Sequence, residues 1–141
     1  MRNMYEIFDE FEMAESKKER MAIIGSNLSQ TLVDVLKLTF HPDYEFLVDE
    51  IPDNYIADWE NKLGYNRCQL TTELRKLYMF RKGDSTAESL NERRRNELLV
   101  LLLESLDPRE AEVVMGIFRK DQGVRGLTYS FVKEAFPNML P

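Results

Sequence analysis

Residues 107–121 read DPREAEVVMGIFRKD and carry the clearest helix signal in the chain. Asp107 is a favourable residue before a helix, Pro108 fits the first helical position, and Glu110 stands three residues after the cap. A helix should therefore begin here and end near Asp121, ahead of the loop 123–126. The apolar residues that recur at helical spacing, and so should face a core, are Ala111, Val114, Met115 and Phe118.

Helix signals of the same kind recur along the chain. Ser16 and Glu19 form a capping box at the start of a helix over about residues 17–24, and Pro42 should stop a helix that begins at Ser29. Further helices are expected over about residues 5–12, 69–80, 86–105 and 128–136. No segment alternates with period two and no internal repeat occurs. The sequence therefore predicts an all-α fold: one compact domain over residues 1–141 with about six to eight short helices.

Three further predictions concern the buried faces of two helices and the position of one short turn. In the helix over 69–80, Glu73 should point outward and the buried stripe should be Leu70, Leu74, Leu77 and Tyr78. In the helix over 86–105 the core positions should be Leu98, Leu99, Leu101 and Leu102. Residues 44–48 are expected to form one further helical turn.

Charge is distributed unevenly along the chain. The 141 residues hold 19 Lys and Arg against 25 Asp and Glu, a net charge of -6. Residues 1–60 have five basic and 14 acidic side chains, whereas residues 61–141 have 14 basic and 11 acidic ones. We therefore distinguish an acidic half (1–60), a loop rich in turn-forming residues (49–66) and a mildly basic half (67–141). A local basic surface attracts anions even on an acidic chain, because the potential follows the local charge.

Several classes of protein are disfavoured by composition. The longest apolar run, residues 98–103, has six residues, too few to span a membrane. Within the first ten residues Glu6, Asp9 and Glu10 stand where an export signal needs an apolar core. One cysteine, Cys68, and one histidine, His41, allow neither an internal disulfide nor the usual zinc sites. No phosphate-binding loop or catalytic constellation occurs. We expect a cytoplasmic protein that is not an enzyme and uses no metal, cofactor or small-molecule substrate.

Basic residues are the remaining candidates for a site. Arg119, Lys120, Arg125 and Lys133 surround a loop with two glycines that leads into a helix, where backbone amides and the helix dipole suit a phosphate. Arg93, Arg94 and Arg95 form a secondary basic patch. In the loop 49–66, the apolar residues Tyr55, Ile56 and Trp59 could instead bind a protein.

Six short sequence segments, in the first and last parts of the chain, resemble segments of a known family. They are residues 4–8, 16–20, 32–44, 118–121, 126–128 and 135–141. They resemble the helical N-terminal DNA-binding domain of ATP-dependent DNA ligases, particularly those of T-even-like phages. The phrases at 108–114 and 126–129 are also similar to small uncharacterised proteins of T4-like phages, including cyanophages. The lysine of the ligases' Lys-x-Asp-Gly-x-Arg motif, which accepts the AMP, has no counterpart, so ligation by this chain alone is excluded.

The resemblance implies a module that clamps duplex DNA without reading its sequence. Carried over by position, the residues at the phosphates would be Arg119, Lys120, Arg125, Gly126, Thr128 and Lys133. The chain would then be a phage accessory protein in the host cytoplasm, with no membrane partner. The alternative is an adaptor that docks on a phage or host replication or transcription protein through the acidic half and the aromatic loop. This alternative arises because a duplex carries one negative charge per ~1.7 Å, which an acidic chain repels.

Overall fold

A computed structural model describes residues 3–48 and 69–141, and its regular elements are helices. They are α1 (Met4–Met13), α2 (Lys17–Ser26), α3 (Gln30–Phe40), α4 (Leu70–Glu73), α5 (Ser85–Ser89), α6 (Glu92–Glu104), α7 (Pro108–Arg119) and α8 (Tyr129–Ala135), with a 3-10 segment (Leu74–Phe80) after α4. The predicted all-α class with six to eight helices is confirmed. The predicted loop 49–66, with Tyr55, Ile56 and Trp59, and Cys68 lie outside the described residues.

Helix α7 lies at the centre and contacts α1, α3 and α6. Its buried residues extend all round the helix, as is typical of a helix enclosed by other elements; they are Ala111, Val113, Val114, Met115, Gly116, Ile117 and Phe118. The side chains of the other elements in the same core include Phe11, Leu32, Leu36, Phe80 and Leu103. The stretch that best predicted a helix is thus the one around which the fold is organised.

Three helices begin with a serine or threonine side-chain cap, and the cap at Ser16 is the one predicted above. Ser16 Oγ accepts a hydrogen bond from the Glu19 amide at 3.2 Å, and Ser29 Oγ accepts one from the Leu32 amide at 3.2 Å. Thr128 Oγ1 accepts one from the Phe131 amide at 3.2 Å. Each bond satisfies an amide that lacks a partner in the first turn of a helix, and so fixes where that helix starts.

The predicted single helix over residues 86–105 is wrong, because the chain breaks between α5 and α6. Asn91 Oδ1 accepts from the Arg94 amide at 2.7 Å and starts α6 afresh. Arg95 Nη2 donates to the carbonyls of Ala87 at 3.2 Å and Leu90 at 2.9 Å, so one side chain holds the break together. Leu101, predicted to be in the core, is 60% exposed on α6.

The predicted faces of residues 69–80 are partly wrong because most of this stretch is a 3-10 segment. With three residues per turn, positions three apart lie in line, and Leu74, Leu77 and Phe80 are the buried ones. Tyr78 therefore turns outward and is 49% exposed. Glu73, predicted to point outward, is buried and pairs with Lys76.

Residues 44–48 do not form the predicted helical turn. Phe46 instead makes an isolated antiparallel bridge with Arg81. The Leu47 amide donates to the Phe80 carbonyl at 2.6 Å, and the Lys82 amide donates to the Glu45 carbonyl at 2.8 Å. The bridge joins the segment after α3 to the end of the 3-10 segment.

At the start of α7 the cap differs from the predicted one. Asp107 makes no side-chain cap bond to the helix, although Pro108 occupies the first helical turn as expected. Glu110 is buried, and its carboxylate accepts a hydrogen bond from the Leu70 backbone. Burial raises the pKa of Glu110, the nearby Asp107 carboxylate raises it further, and the bond from Leu70 acts in the opposite direction.

We expect Glu110→Gln to raise the melting temperature at pH 7 by about 3 °C, roughly 1 kcal/mol for a chain of this size. The amide removes a desolvated charge and keeps an oxygen to accept from Leu70. Because the pKa of Glu110 is raised in the native state, the native state binds a proton at a higher pH than the unfolded state does. The free energy of unfolding of the wild type should therefore rise relative to that of the variant as the pH falls. Thermal unfolding at pH 7 and pH 5 checks this, and a lower melting temperature for the variant at pH 7 would contradict it.

Candidate functional site

The loop between α7 and α8 has a backbone fixed by three residues with positive φ. Lys120 ends α7 in the left-handed conformation (φ 60°), and Gly123 and Gly126 follow at 67° and 85°. The Lys120 amide donates to the Ile117 carbonyl and the Asp121 amide to the Gly116 carbonyl, the paired bonds of a Schellman motif. Lysine thus occupies the position where glycine is the usual residue.

Lys120 has a structural role, contrary to the prediction that it binds phosphate. Its Nζ donates to three backbone carbonyls at the end of α3 and just beyond: Leu38 at 2.8 Å, His41 at 2.9 Å and Tyr44 at 2.7 Å. These three bonds use every proton of an ammonium group. Burial lowers the pKa of Lys120 to about 8, and the Glu45 carboxylate acts in the opposite direction. The side chain ties α7 to α3 and has no donor left for a phosphate.

Two backbone amides of the loop donate hydrogen bonds within the protein. The Gly123 amide donates to Asp121 Oδ1 at 2.9 Å, and the Leu127 amide donates to the Val124 carbonyl at 3.0 Å. Thr128, predicted to lie at a phosphate, is the N-cap that accepts from Phe131. The amides of Gly123 and Leu127 are therefore not available to the predicted phosphate.

Three of the predicted cations remain exposed around the loop: Arg119, Arg125 and Lys133. Arg119 lines a shallow depression of about 540 Å³ together with Gly123, where Glu112 and Asp121 offset its charge. Lys133 lies on α8 beside Glu134, which pairs with Lys17 of α2 at 2.5 Å. Helix α2 is thereby joined to the α8 side of the loop.

Arg20 on α2 is a site residue that sequence reasoning missed. Its guanidinium lies directly against Gly126: a Cβ on Gly126 would stand 2.6 Å from Arg20 Cζ. The guanidinium also lies 5.8 Å from the centre of the Phe11 ring, a cation–π contact. Arg20 Nε is buried and has no hydrogen-bond partner within the described ranges. No local pattern signals this role, since more than 100 residues separate Arg20 from Gly126.

We call the residues around this loop the loop cluster: Arg20, Arg119, Arg125, Gly126, Thr128 and Lys133.

The three arginines of the secondary basic patch do not face the same way: Arg93 and Arg94 are exposed, whereas Arg95 points inward. Arg93 Nε lies 3.4 Å from Glu97 Oε1, and Arg94 Nη1 lies 3.2 Å from Glu97 Oε2. These exposed pairs contribute little to stability but offset the positive charge locally. Arg95 is turned inward onto the break between α5 and α6. The patch thus presents two partly compensated arginines on the surface.

A second feature, which we call the acidic groove, lies between α1 and α2. Its volume is about 790 Å³. Its apolar lining is Met13, Ala14, Ala22 and Ile23. Its acidic lining is Glu6, Asp9, Glu10 and Glu19. Met13 is 82% exposed, the most exposed of the large apolar side chains in the described ranges.

Two searches of the described residues bear on function. None of their helices has the length and apolar character that crossing a bilayer requires. They also hold no group of three or more His, Cys, Asp and Glu placed to bind a metal ion.

Comparison with known proteins gives a family. No curated protein matches the chain. Residues 7–124, from α1 to the loop after α7, match the family described as "Family of unknown function (DUF6433)". Since the match covers most of the chain, the protein belongs to the DUF6433 family.

Proposed function

We propose that this protein is a non-catalytic phage accessory protein that binds duplex DNA without sequence preference through the loop cluster. The observation that carries the proposal is Arg20, a half-buried cation held against Gly126 whose buried Nε has no hydrogen-bond partner among the described residues. A buried donor without an acceptor is costly, and a phosphate bound at the accessible part of the guanidinium would offset the cost through its charge. The resemblance to ligase DNA-binding domains, which points to the same loop, supports the proposal independently.

The proposal differs from the sequence-based one in its contacts. Arg119, Arg125 and Lys133 remain exposed, Arg20 is added, and Lys120 is removed because its ammonium is engaged by carbonyls. Contacts from such side chains go to the phosphates, which position a protein on a duplex but carry no sequence information. Binding should therefore be similar for duplexes of different sequence and strongly dependent on salt.

Fluorescence anisotropy with a labelled nicked duplex of about 20 base pairs tests the proposal. We count one phosphate contact each for Arg20, Arg125 and Lys133, because Glu112 and Asp121 lie beside Arg119. With about three contacts, the dissociation constant should rise roughly 40-fold between 50 and 200 mM salt. Arg20→Gln/Arg125→Gln should remove two contacts. A plot of the logarithm of the association constant against the logarithm of the salt concentration should then have a slope of about -0.9 instead of about -2.7.

The matched control is Arg93→Gln/Arg94→Gln, which removes the same charge from α6. It should leave the affinity within about twofold, because these arginines already pair with Glu97. Circular dichroism confirms that each variant is folded. No binding by the wild type at 50 mM salt, or an equal loss in both double variants, would reject the loop cluster as the DNA site.

The alternative function, an adaptor that docks through the acidic half and the aromatic loop, is favoured by one observation, the acidic groove. Tyr55, Ile56 and Trp59 lie outside the described residues, so support for the adaptor comes from α1 and α2. The two functions use different residues, since none of the residues that line the groove belongs to the loop cluster.

A further inference from the structure

The acidic groove combines an apolar floor with carboxylates on its margins. Helix α1 turns Ile7, Phe8 and Phe11 toward the core, which leaves Glu6, Glu10 and Met13 together on its other side. The spacing of these three positions, four and then three residues, is that of one helical face. Apolar surface exposed beside concentrated charge is typical of a binding site for another macromolecule.

Helix α2 supplies the opposite wall and is the more weakly buried of the two helices. Ile24 is its single buried residue, whereas Ala22 is exposed and Ile23 is half-buried. Ile23 lies partly in the core and partly in the groove. The core therefore uses little of the apolar surface of α2, and part of the remainder lines the groove.

The charge of the groove selects among possible occupants. Four of the described residues that line it are acidic and none is basic. Arg109 of α7 pairs with one of them, Asp9, at 2.7 Å, which offsets that charge and leaves the lining acidic as a whole. Such a lining repels phosphates and attracts lysine and arginine, and this favours a basic protein segment over a nucleic acid.

The length of α1 that lines the groove suits a short helix. The groove follows α1 from Glu6 to Met13, about 10 Å at 1.5 Å per residue, which corresponds to two helical turns. A helix lying between two others inserts apolar side chains spaced three or four residues apart, here against Met13, Ala22 and Ile23. We propose that the acidic groove is the docking site for a short amphipathic helix of a partner protein whose apolar stripe is flanked by lysine or arginine. This inference goes beyond DNA binding and does not depend on it.

The test uses three capped peptides of about 14 residues. The first has leucines at positions i, i+3, i+4 and i+7 flanked by lysines, the second has the same composition with the leucines scattered, and the third replaces each lysine with glutamate. Binding to the full isotope-labelled chain is followed by amide chemical shifts. We expect the first peptide to perturb α1 and α2, and to bind at least 10-fold more tightly than either of the others.

Variants locate the site. Met13→Ser and Ala22→Gln should each weaken the first peptide by 5-fold or more, because one removes the apolar contact and the other fills the floor. The matched control is Leu101→Ser, which removes a large apolar side chain that is 60% exposed on α6 and should have no effect. All three variants should bind the nicked duplex like the wild type, so that failure here and failure of the DNA proposal are separate results.

Three results would overturn the proposal. The first is equal binding of the scattered peptide, which would reduce the effect to general attraction between charges. The second is a set of shifts centred outside α1 and α2. The third is wild-type self-association in sedimentation that Met13→Ser abolishes, which would make the occupant a second copy of the chain.

Discussion

Replacing Lys120 with methionine is expected to lower the free energy of unfolding by about 3 kcal/mol, because a buried acceptor left without its donor costs roughly 1–3 kcal/mol. Methionine keeps the apolar stem but cannot donate to the carbonyls of Leu38, His41 and Tyr44. These carbonyls are where the chain leaves α3, so the loss weakens the junction between α3 and α7. Urea denaturation with linear extrapolation measures the change.

The control for this variant is Lys133→Met, which removes the same group from an exposed position on α8. A surface substitution of this kind should stay within about 0.5 kcal/mol. If the two variants lose the same free energy, the three carbonyl bonds of Lys120 contribute nothing specific to stability.

Because Lys120 titrates with a lowered pKa, the stability difference between the wild type and Lys120→Met should depend on pH. Its pKa is lowered from 10.5 to about 8 in the native state. Between these values the unfolded chain holds a proton that the native state has released, so the stability of the wild type should rise with pH over this window. Lys120→Met should lack the rise. Nuclear magnetic resonance of labelled lysine side chains should find one amine titrating near pH 8, and its absence would contradict the assignment.

The second large effect is expected from Phe11→Ala, which should lower the free energy of unfolding by about 4 kcal/mol, within the range of buried phenylalanine truncations. Phe11 is fully buried, and its ring meets the edge of Phe131 with 5.1 Å between centroids. It also supports the Arg20 guanidinium. Truncation therefore leaves a cavity between α1 and α8 and removes the contact that holds Arg20 beside Gly126.

Thermal unfolding of Phe11→Ala is best compared with that of Met13→Ala. Met13 lies two residues further along the same helix but is 82% exposed, so its truncation should cost less than about 0.5 kcal/mol. Similar losses in the two variants would contradict the assignment of Phe11 to the core.

The helices could be predicted from the sequence because their signals are local. A Ser, Thr or Asn before an apolar period places a hydroxyl or amide where the first free amides need an acceptor, and α2, α3 and α8 begin at such residues. The start of α6 at Asn91 is not predicted, because residues 86–105 contain no glycine or proline that would end a helix there. The break is made instead by the Asn91 cap and by the bonds that Arg95 donates to Ala87 and Leu90.

The roles of long basic side chains could not be predicted in the same way. The position of Lys120 among other cations in the sequence predicts a phosphate ligand, yet the carbonyls that it binds lie about 80 residues earlier. Arg20 has no distinguishing neighbour in sequence, and its relation to Gly126 arises from the packing of α1, α2 and the α7–α8 loop. The direction of a long, flexible basic side chain depends on which helices and loops pack together. Short sequence patterns contain no information about that packing.

The central place of α7 has a consequence for synthesis of the chain. Helix α3 ends at Phe40, whereas α7, which it contacts, ends at Arg119. At about 5–20 residues per second the ribosome needs several seconds to make the intervening segment. Throughout this time the apolar faces of α1 and α3 have no α7 to cover them, so the nascent chain should stay accessible to chaperones and proteases. Pairing across so long a separation also slows folding relative to a bundle of sequence neighbours.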